Sequence, residues 1–382
     1  MQERPSQPAA ATHPSASPHD ITTAPRDFLN LHEIVAKARQ NLNQNDWDYI
    51  VGGAESETTL RRNRMAFDSV AFRPRVLRDV SDLDASTTFL GQKMRLPVLL
   101  APVGGLEHFS KDGAVPAALA AHEFGILQML SSVCEPGLEA VAKAAPDAMR
   151  SFQLYVHGDA AWVDDHAARA IASGYSSFCL TVDTAYYSRR ERDLAQRNIR
   201  RHNVPGREHQ ARLNWKDVAR IKEKFAVPLI LKGIATAEDA LLAVEHGVDV
   251  VYISNHGGRQ LDHGLGSMAV LPEIAAAIAG RARIIVDGSF NRGTDVVKAI
   301  AAGADMVGMG RMQCVGLAAG GQAGVVRMLE ILETEIHSCM GLLGVSRIGE
   351  LDGSYLRQAP SVSSPEAFSN FPLLTFEEKS FY

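Results

Sequence analysis

Eight short runs of apolar, largely β-branched residues recur between residues 96 and 311, each followed by a longer segment with helical spacing. They are "LPVLLAP" (96–102), "ILQMLSS" (126–132), "RSFQLYV" (150–156), "SFCLTVD" (177–183), "PLILKG" (228–233), "VDVVYISN" (248–255), "RIIVDG" (283–288) and "MVGMGR" (306–311). Runs this continuously apolar are not strands with one wet face; they need cover on both sides, which crossover helices supply. The intervening segments fit that role. "GAVPAALAAHEFG", "GLEAVAKAAP", "DAAWVDDHAARAIASG", "NWKDVARIKEKF", "TAEDALLAVEHG" and "GTDVVKAIAAG" carry apolar residues at i, i+3, i+4, and several stop at glycine. Eight such units predict an α/β fold, a (β/α)8 TIM barrel, with an open doubly wound sheet as the alternative.

Two further segments have helical periodicity. Residues 27–70 form a helical lead-in, expected either to plug the bottom of the barrel or to reach its mouth, and "GGQAGVVRMLEILETEIHSCMGLLG" (320–344) supplies a long final helix. Residues 1–26 are rich in Pro, Ala, Ser and Thr and are expected to be a disordered tail, leaving 27–382 as a single domain.

A formal net charge of −5 gives no overall basic footprint for nucleic acid. Cys134, Cys179, Cys314 and Cys339 lie far apart without a CxxC pair, so buried reduced thiols are expected rather than a disulfide framework or a metal site. No stretch approaches the roughly 20 uncharged apolar residues of a membrane span, and no secretory h-region is present. A cytoplasmic protein without a membrane partner is the expectation.

In such a barrel the reactive end is where the strands finish, so polar residues there carry weight. They are Ser131, Gln153, Tyr155, Thr181, Asp183, Lys232, Ser254, His256, Asp287 and Arg311. "DGSFNRG" after the seventh strand and "GMGR" after the eighth combine small residues with Arg292 and Arg311, as a phosphate cradle requires. Lys232 suits a Schiff-base nucleophile, a phosphate ligand or an electrostatic partner of a cofactor, and spacing alone does not choose. Asp183 and His256 end the fourth and follow the sixth strand, where a barrel brings a carboxylate to an imidazole and makes it a better base. Arg259 and Arg190 offer planar forks to a substrate carboxylate, although "RRERD" around Arg190 also reads as a solvated charge run.

Taken in order, "DWDYIVGGAESETTLRRNRMAFDSVAFRPRVLRDV", "SFQLYV", "LTVDT", "RRERD", "LILKG", "SNHGGRQLD", "DGSFNRGTDV" and "GMGR" resemble the FMN-dependent 2-hydroxy-acid oxidase and dehydrogenase family of glycolate oxidase, lactate oxidase and mandelate dehydrogenase, over roughly residues 28–350. The resemblance implies oxidation of an (S)-2-hydroxy acid to the 2-oxo acid, with two electrons passing to FMN and then to oxygen or another acceptor. It implies His256 as base, Asp183 as its orienting partner, and Tyr49, Tyr155, Arg190 and Arg259 as substrate-binding residues. Pro102, Val103, Gly104, Ser131, Gln153, Thr181, Lys232, Ser254, Asp287, Gly288, Ser289, Asn291, Gly310 and Arg311 would hold the cofactor, Lys232 beside the flavin N1 and C2 carbonyl. A homo-oligomer, a homotetramer, is also implied. The competing readings are oxidation of an amine or modified peptide, and a flavin-binding protein without turnover.

Several residues depart from the family pattern. Asn291 stands where the family often has arginine, with Arg292 next to it to compensate. Val133 stands where glycolate oxidases place tryptophan, which makes room for a bulky or aromatic substrate. Ala185, Tyr186 and Tyr187 replace the usual residues after "TVDT", with Tyr187 expected to line the pocket or sit on the surface. By the resemblance Gly104 would lie near the flavin N5, at a position that is often alanine in oxidases and glycine in lactate monooxygenase, which bears on the electron acceptor. Residues 184–213 hold eight arginines against three acidic residues, read as a solvated disordered loop or a basic lid.

Overall fold

The computed structural model describes residues 24–197, 205–362, 364–371 and 373–374. The expected tail lies outside these up to residue 23; its last residues, Pro25 and Arg26, join Asp27 in a short 3-10 turn packed against Gly320.

All eight apolar runs are strands: β1 (Val98–Leu100), β2 (Leu127–Ser131), β3 (Arg150–Leu154), β4 (Phe178–Thr181), β5 (Leu229–Ile234), β6 (Val250–Ile253), β7 (Arg283–Val286) and β8 (Met306–Met309). They close into one barrel in chain order, every neighbour parallel, with β8 pairing β1. The open-sheet alternative is thereby removed. Each quoted helical segment forms its helix, and one more, Ser267–Ile278, follows β6 with Pro272 inside it.

The core has two parts because a barrel has an inside and an outside. Strand residues facing outward pack with the helices into one large cluster. Those facing inward, among them Leu99, Met129, Cys179, Tyr252 and Met306, form a second. Phe89 and Met94 belong to the inner cluster; they come from a hairpin, Thr87–Phe89 with Gln92–Met94, that closes the bottom of the barrel.

The lead-in consists of α1 (Leu31–Asn41), α2 (Gln44–Val51) and α3 (Thr58–Asp68), the first two capped by Asn30 and Asn43 side chains. It reaches the mouth rather than the bottom. From α3, Thr59 N donates to Asp262 Oδ1 (2.8 Å), Asn63 Nδ2 to Asn255 Oδ1 (3.0 Å) and Arg64 Nη1 to Ser289 O (2.8 Å), all on loops at the carboxyl ends of strands.

The final helix is longer than its apolar pattern predicts. It runs from Arg311 to Leu343 and is broken at Gly320–Gly321, so the predicted segment is only its second half. By length and composition it is apolar enough to cross a bilayer, against expectation, yet 61% of its most apolar window is buried inside the fold. It packs on α1 and on the helix Val115–Phe124.

The arginine-rich segment after β4 is more built than a solvated loop. Gln210, on the helix Arg207–Arg212, is buried; its amide donates to Thr181 O and accepts from Val156 N, both at 2.7 Å. Residues 198–204 of that segment, with Arg200 and Arg201, lie outside the described residues.

Candidate active site

Three consecutive residues after β6, His256, Gly257 and Gly258, have φ of 58°, 66° and 77°. That left-handed path needs the two glycines. A β-carbon on Gly258 would lie 2.5 Å from Leu60 N, because α3 crosses directly over the loop. His256 carries a β-carbon there regardless, a conformation that costs about 1–3 kcal/mol and persists only when the surroundings hold it.

Those surroundings are polar and specific. His256 N donates to Ser254 Oγ (3.0 Å), its Nδ1 lies 3.2 Å from Asp183 Oδ1, and its Nε2 lies 3.1 Å from the Tyr155 hydroxyl. Burial raises the Asp183 carboxyl, but the imidazole and Lys232 outweigh it and hold the group below its ordinary value. An ionised Asp183 accepts a hydrogen bond from Nδ1–H and leaves the Nε2 lone pair facing Tyr155. Burial, then the Asp183 charge, drives the Tyr155 phenol well above its usual range, so it stays protonated and donates to that lone pair. For His256 itself burial lowers the pKa; Asp183 opposes this, and the Lys232 and Arg190 cations add to it, so the net shift is downward. A neutral imidazole at neutral pH is what a base requires.

Lys232, buried at the end of β5, donates to Ser254 Oγ (2.9 Å) and lies 3.5 Å from Asp287 Oδ2; Ser254 in turn donates to Asp287 Oδ1 (2.6 Å). Burial disfavours its charge, but Asp287 and Asp183 more than compensate, and its pKa is raised. It is therefore a fixed cation, unsuited to Schiff-base attack.

Of these groups His256, Tyr155, Lys232 and Asp287 face a cavity of about 340 Å³ lined also by Tyr49, Arg190, Arg259, Pro102, Val103, Gly104, Gly288, Ser289, Gly310 and Arg311. Arg259 donates to Tyr49 O and Gly52 O and stacks over the Tyr49 ring, 4.3 Å from its centroid, while its buried Nη2 has no partner among the described residues. An orphaned guanidinium nitrogen costs about 1–3 kcal/mol until a ligand satisfies it. "RRERD" is not a solvated run: Arg190 lines the cavity, and Arg192 grips Glu57 at 2.7 and 3.0 Å.

Gln153, Thr181, Ser131 and Ser254 lie behind the cavity wall, buried. Both amide atoms of Gln153 and the Thr181 hydroxyl have no partner among the described residues. Unpaired groups at the ends of β3 and β4 suit a planar ligand edge carrying both donors and acceptors.

Some expected residues are placed elsewhere. Asn291 is buried away from the cavity, its amide donating to Ala367 O (2.9 Å) and Asn370 Oδ1 (3.1 Å). Arg292 does not compensate for it, because its guanidinium is paired with Glu335 at 2.6 Å. Tyr187 lines the cavity, with Arg207 stacked 4.4 Å over its ring, whereas Tyr186 is exposed. The cavity also includes His108, His157, Thr184 and Cys314, which sequence reading missed. His157 alone had a signal, since it follows Tyr155 by two at the end of "SFQLYV".

The FMN-dependent dehydrogenase family pattern matches residues 38–358. The chain belongs to this family. It is 37% identical over 362 residues to L-lactate oxidase of Nostoc sp., covering 87% of this chain and 99% of the relative. It is 36% identical over 354 residues to glycolate oxidase of Spinacia oleracea, covering 86% and 96%. Among solved structures, mandelate oxidase superposes with a TM-score of 0.80 at 33% identity, covering 88% of this chain and 99% of that one. In this FMN-dependent dehydrogenase family member the unpaired strand-end groups, Lys232 and the orphaned Arg259 nitrogen are grouped on or behind the wall of one cavity. A mandelate oxidase structure in the same comparison is described with an FMN adduct, at 33% identity.

Proposed function

We propose that this protein oxidises (S)-2-hydroxy acids with an aromatic or otherwise bulky side chain to 2-oxo acids, using FMN and passing the electrons to oxygen. The observation that carries the reading is His256 held between Asp183 and Tyr155, facing a cavity that also presents Arg259, Arg190 and Lys232.

When bound, FMN supplies the two-electron sink. Lys232, Ser254, Gln153, Thr181 and Asp287 would hold it, with Pro102, Val103 and Gly104 lining the same cavity. Arg259 and Arg190 hold the substrate carboxylate, which orients the CH–OH carbon toward His256. His256 Nε2 takes one proton from that centre. Asp183 stabilises the imidazolium that results, and the Tyr155 hydroxyl passes its hydrogen bond to the substrate oxygen. Lys232 favours negative charge on its side of the site. The sum removes two electrons and two protons from R–CH(OH)–COO⁻ and leaves R–CO–COO⁻.

The preference for bulk rests on Val133, a small side chain in the cavity wall, with the aromatic ring of Tyr187 on the same wall. It agrees with the likeness to a mandelate oxidase described with (S)-mandelic acid. Two guanidinium groups favour a carboxylate substrate over an amine or a modified peptide. A cytoplasmic site belongs to the proposal, supported by four buried free thiols.

His256→Ala is expected to keep its yellow colour and lose turnover at least about a thousandfold, a general base being worth about 10²–10⁴. Near-normal turnover in that variant overturns the assignment. Val133→Trp is expected to raise KM for aryl acids at least tenfold while sparing the smallest acids; equal effects on both would remove the substrate preference.

A further inference from the structure

Arg190 reaches the cavity from a segment that has little regular structure to steady it. It stands immediately before the helix Glu191–Ala195, which has five residues and no side-chain cap. Its charge acts on both His256 and Tyr155, so its guanidinium lies at the reactive end of the cavity. A helix that short does not hold itself, and the direction in which Arg190 points has to be fixed from outside the segment.

The lead-in supplies that support on both sides of Arg190. On one side Glu55 N donates to Arg189 O (2.8 Å). On the other, the Arg192 fork meets the Glu57 carboxylate, Nε to Oε1 at 2.7 Å and Nη2 to Oε2 at 3.0 Å. Two parallel bonds fix direction as well as distance. The side chains of Arg192 and Glu57 are only 27% and 15% exposed, so salt and water screen the pair little.

The contact is built from the lead-in as well. Glu57 stands in a left-handed conformation, φ 59°, and its Oε1 also accepts from Gly53 N (3.0 Å). A β-carbon on Gly52 would lie 3.3 Å from Arg192 Cδ, and one on Gly53 3.4 Å from Glu57 Cγ, so the two glycines leave the space in which the side chains meet. Burial works to raise the Glu57 carboxyl, but the Arg192 guanidinium and then the Gly53 N–H outweigh it and hold the group below its usual value. The same stretch also holds the second arginine of the site, since Gly52 O accepts from Arg259 Nη1 (2.9 Å). One piece of lead-in thus carries both guanidinium groups.

We infer that Glu57 is a positioning residue for Arg190: by gripping Arg192 it fixes the start of the helix Glu191–Ala195 and so sets the spacing between Arg190 and Arg259 that a substrate carboxylate meets, an inference that rests on a carboxylate being bound there. Glu57 is not itself part of the cavity wall.

The test uses the flavin-loaded full chain. Glu57→Gln keeps an acceptor for Gly53 N but turns an amide NH2 toward Arg192, and Arg192→Met keeps an apolar stem beside Gly52 while removing the fork. Each variant is expected to raise KM for an (S)-2-hydroxy acid about tenfold or more with kcat within about twofold of the parent, and the double variant to be no worse than either single one. Benzoate and benzamide, followed through the flavin absorbance, have nearly the same shape, and only benzoate is charged. Benzoate binding should weaken in step with the rise in KM, and benzamide binding should stay as in the parent. Arg192→Lys, which returns the charge without the fork, should recover part of the loss. Unchanged KM and benzoate affinity in both single variants, an equal loss for benzoate and benzamide, or losses that multiply in the double variant would overturn the role of Glu57 and leave the proposed function standing. A parent protein that neither binds benzoate nor oxidises any 2-hydroxy acid would remove the carboxylate reading and this inference with it.

Discussion

His256 shows how far one residue can be read from its neighbours in the chain. Its position after a strand, followed by two glycines, marks a turn; that its ring meets Asp183 and Tyr155 depends on β3, β4 and β6 ending at one mouth. Because the net shift of its pKa is downward from 6.5, the base is unprotonated above that shifted value. kcat/KM is therefore expected to rise with pH along an acidic limb centred below 6.5 and then level. Asp183→Asn removes the influence that raises the imidazole, so the limb should move further to acid while kcat falls about 10²–10⁴-fold. A limb that moved to higher pH in that variant would contradict the electrostatic assignment. Asn291 and Arg292 show the opposite case. Their partners, Asn370 and Glu335, lie 79 and 43 residues away in sequence, and no local spacing announces them.

At the scale of elements, the strands were legible because burial on both sides leaves an unbroken apolar run. Helix Ser267–Ile278 was not picked out; it begins without a side-chain cap and carries a proline inside, so both the start signal and the period are blurred. The hairpin at residues 87–94 has strands of three residues each, too short for alternation to show. What the elements add is clamping. The loop after β6 is fixed by α3, which predicts that Gly258→Ala, forced against Leu60 N at 2.5 Å, loses about 2 kcal/mol or more of stability in denaturant unfolding. The segment after β4 is fixed by Gln210. Gln210→Ala should therefore speed proteolytic cleavage between residues 184 and 213 while leaving the global unfolding midpoint nearly unchanged; equal protease resistance would show that the segment is held by other contacts.

For the whole molecule, the barrel separates stability from chemistry. Its bottom is closed by Phe89 and Met94, its mouth by the lead-in and the loops, and the inner cluster lies between. Phe89→Ala should cost about 3–5 kcal/mol in unfolding and leave the choice among substrates unaltered, measured as the ratio of kcat/KM for an aryl and a small acid. A changed ratio would mean that the two ends are coupled. We propose that this mouth removes two electrons from an (S)-2-hydroxy acid. The most direct test is anaerobic mixing of the yellow protein with single enantiomers of small, aliphatic and aromatic 2-hydroxy acids, watching the flavin absorbance. Rapid bleaching by (S)-acids is expected, fastest with an aryl side chain, with recovery of colour on admitting air. No bleaching by any 2-hydroxy acid would contradict the proposal.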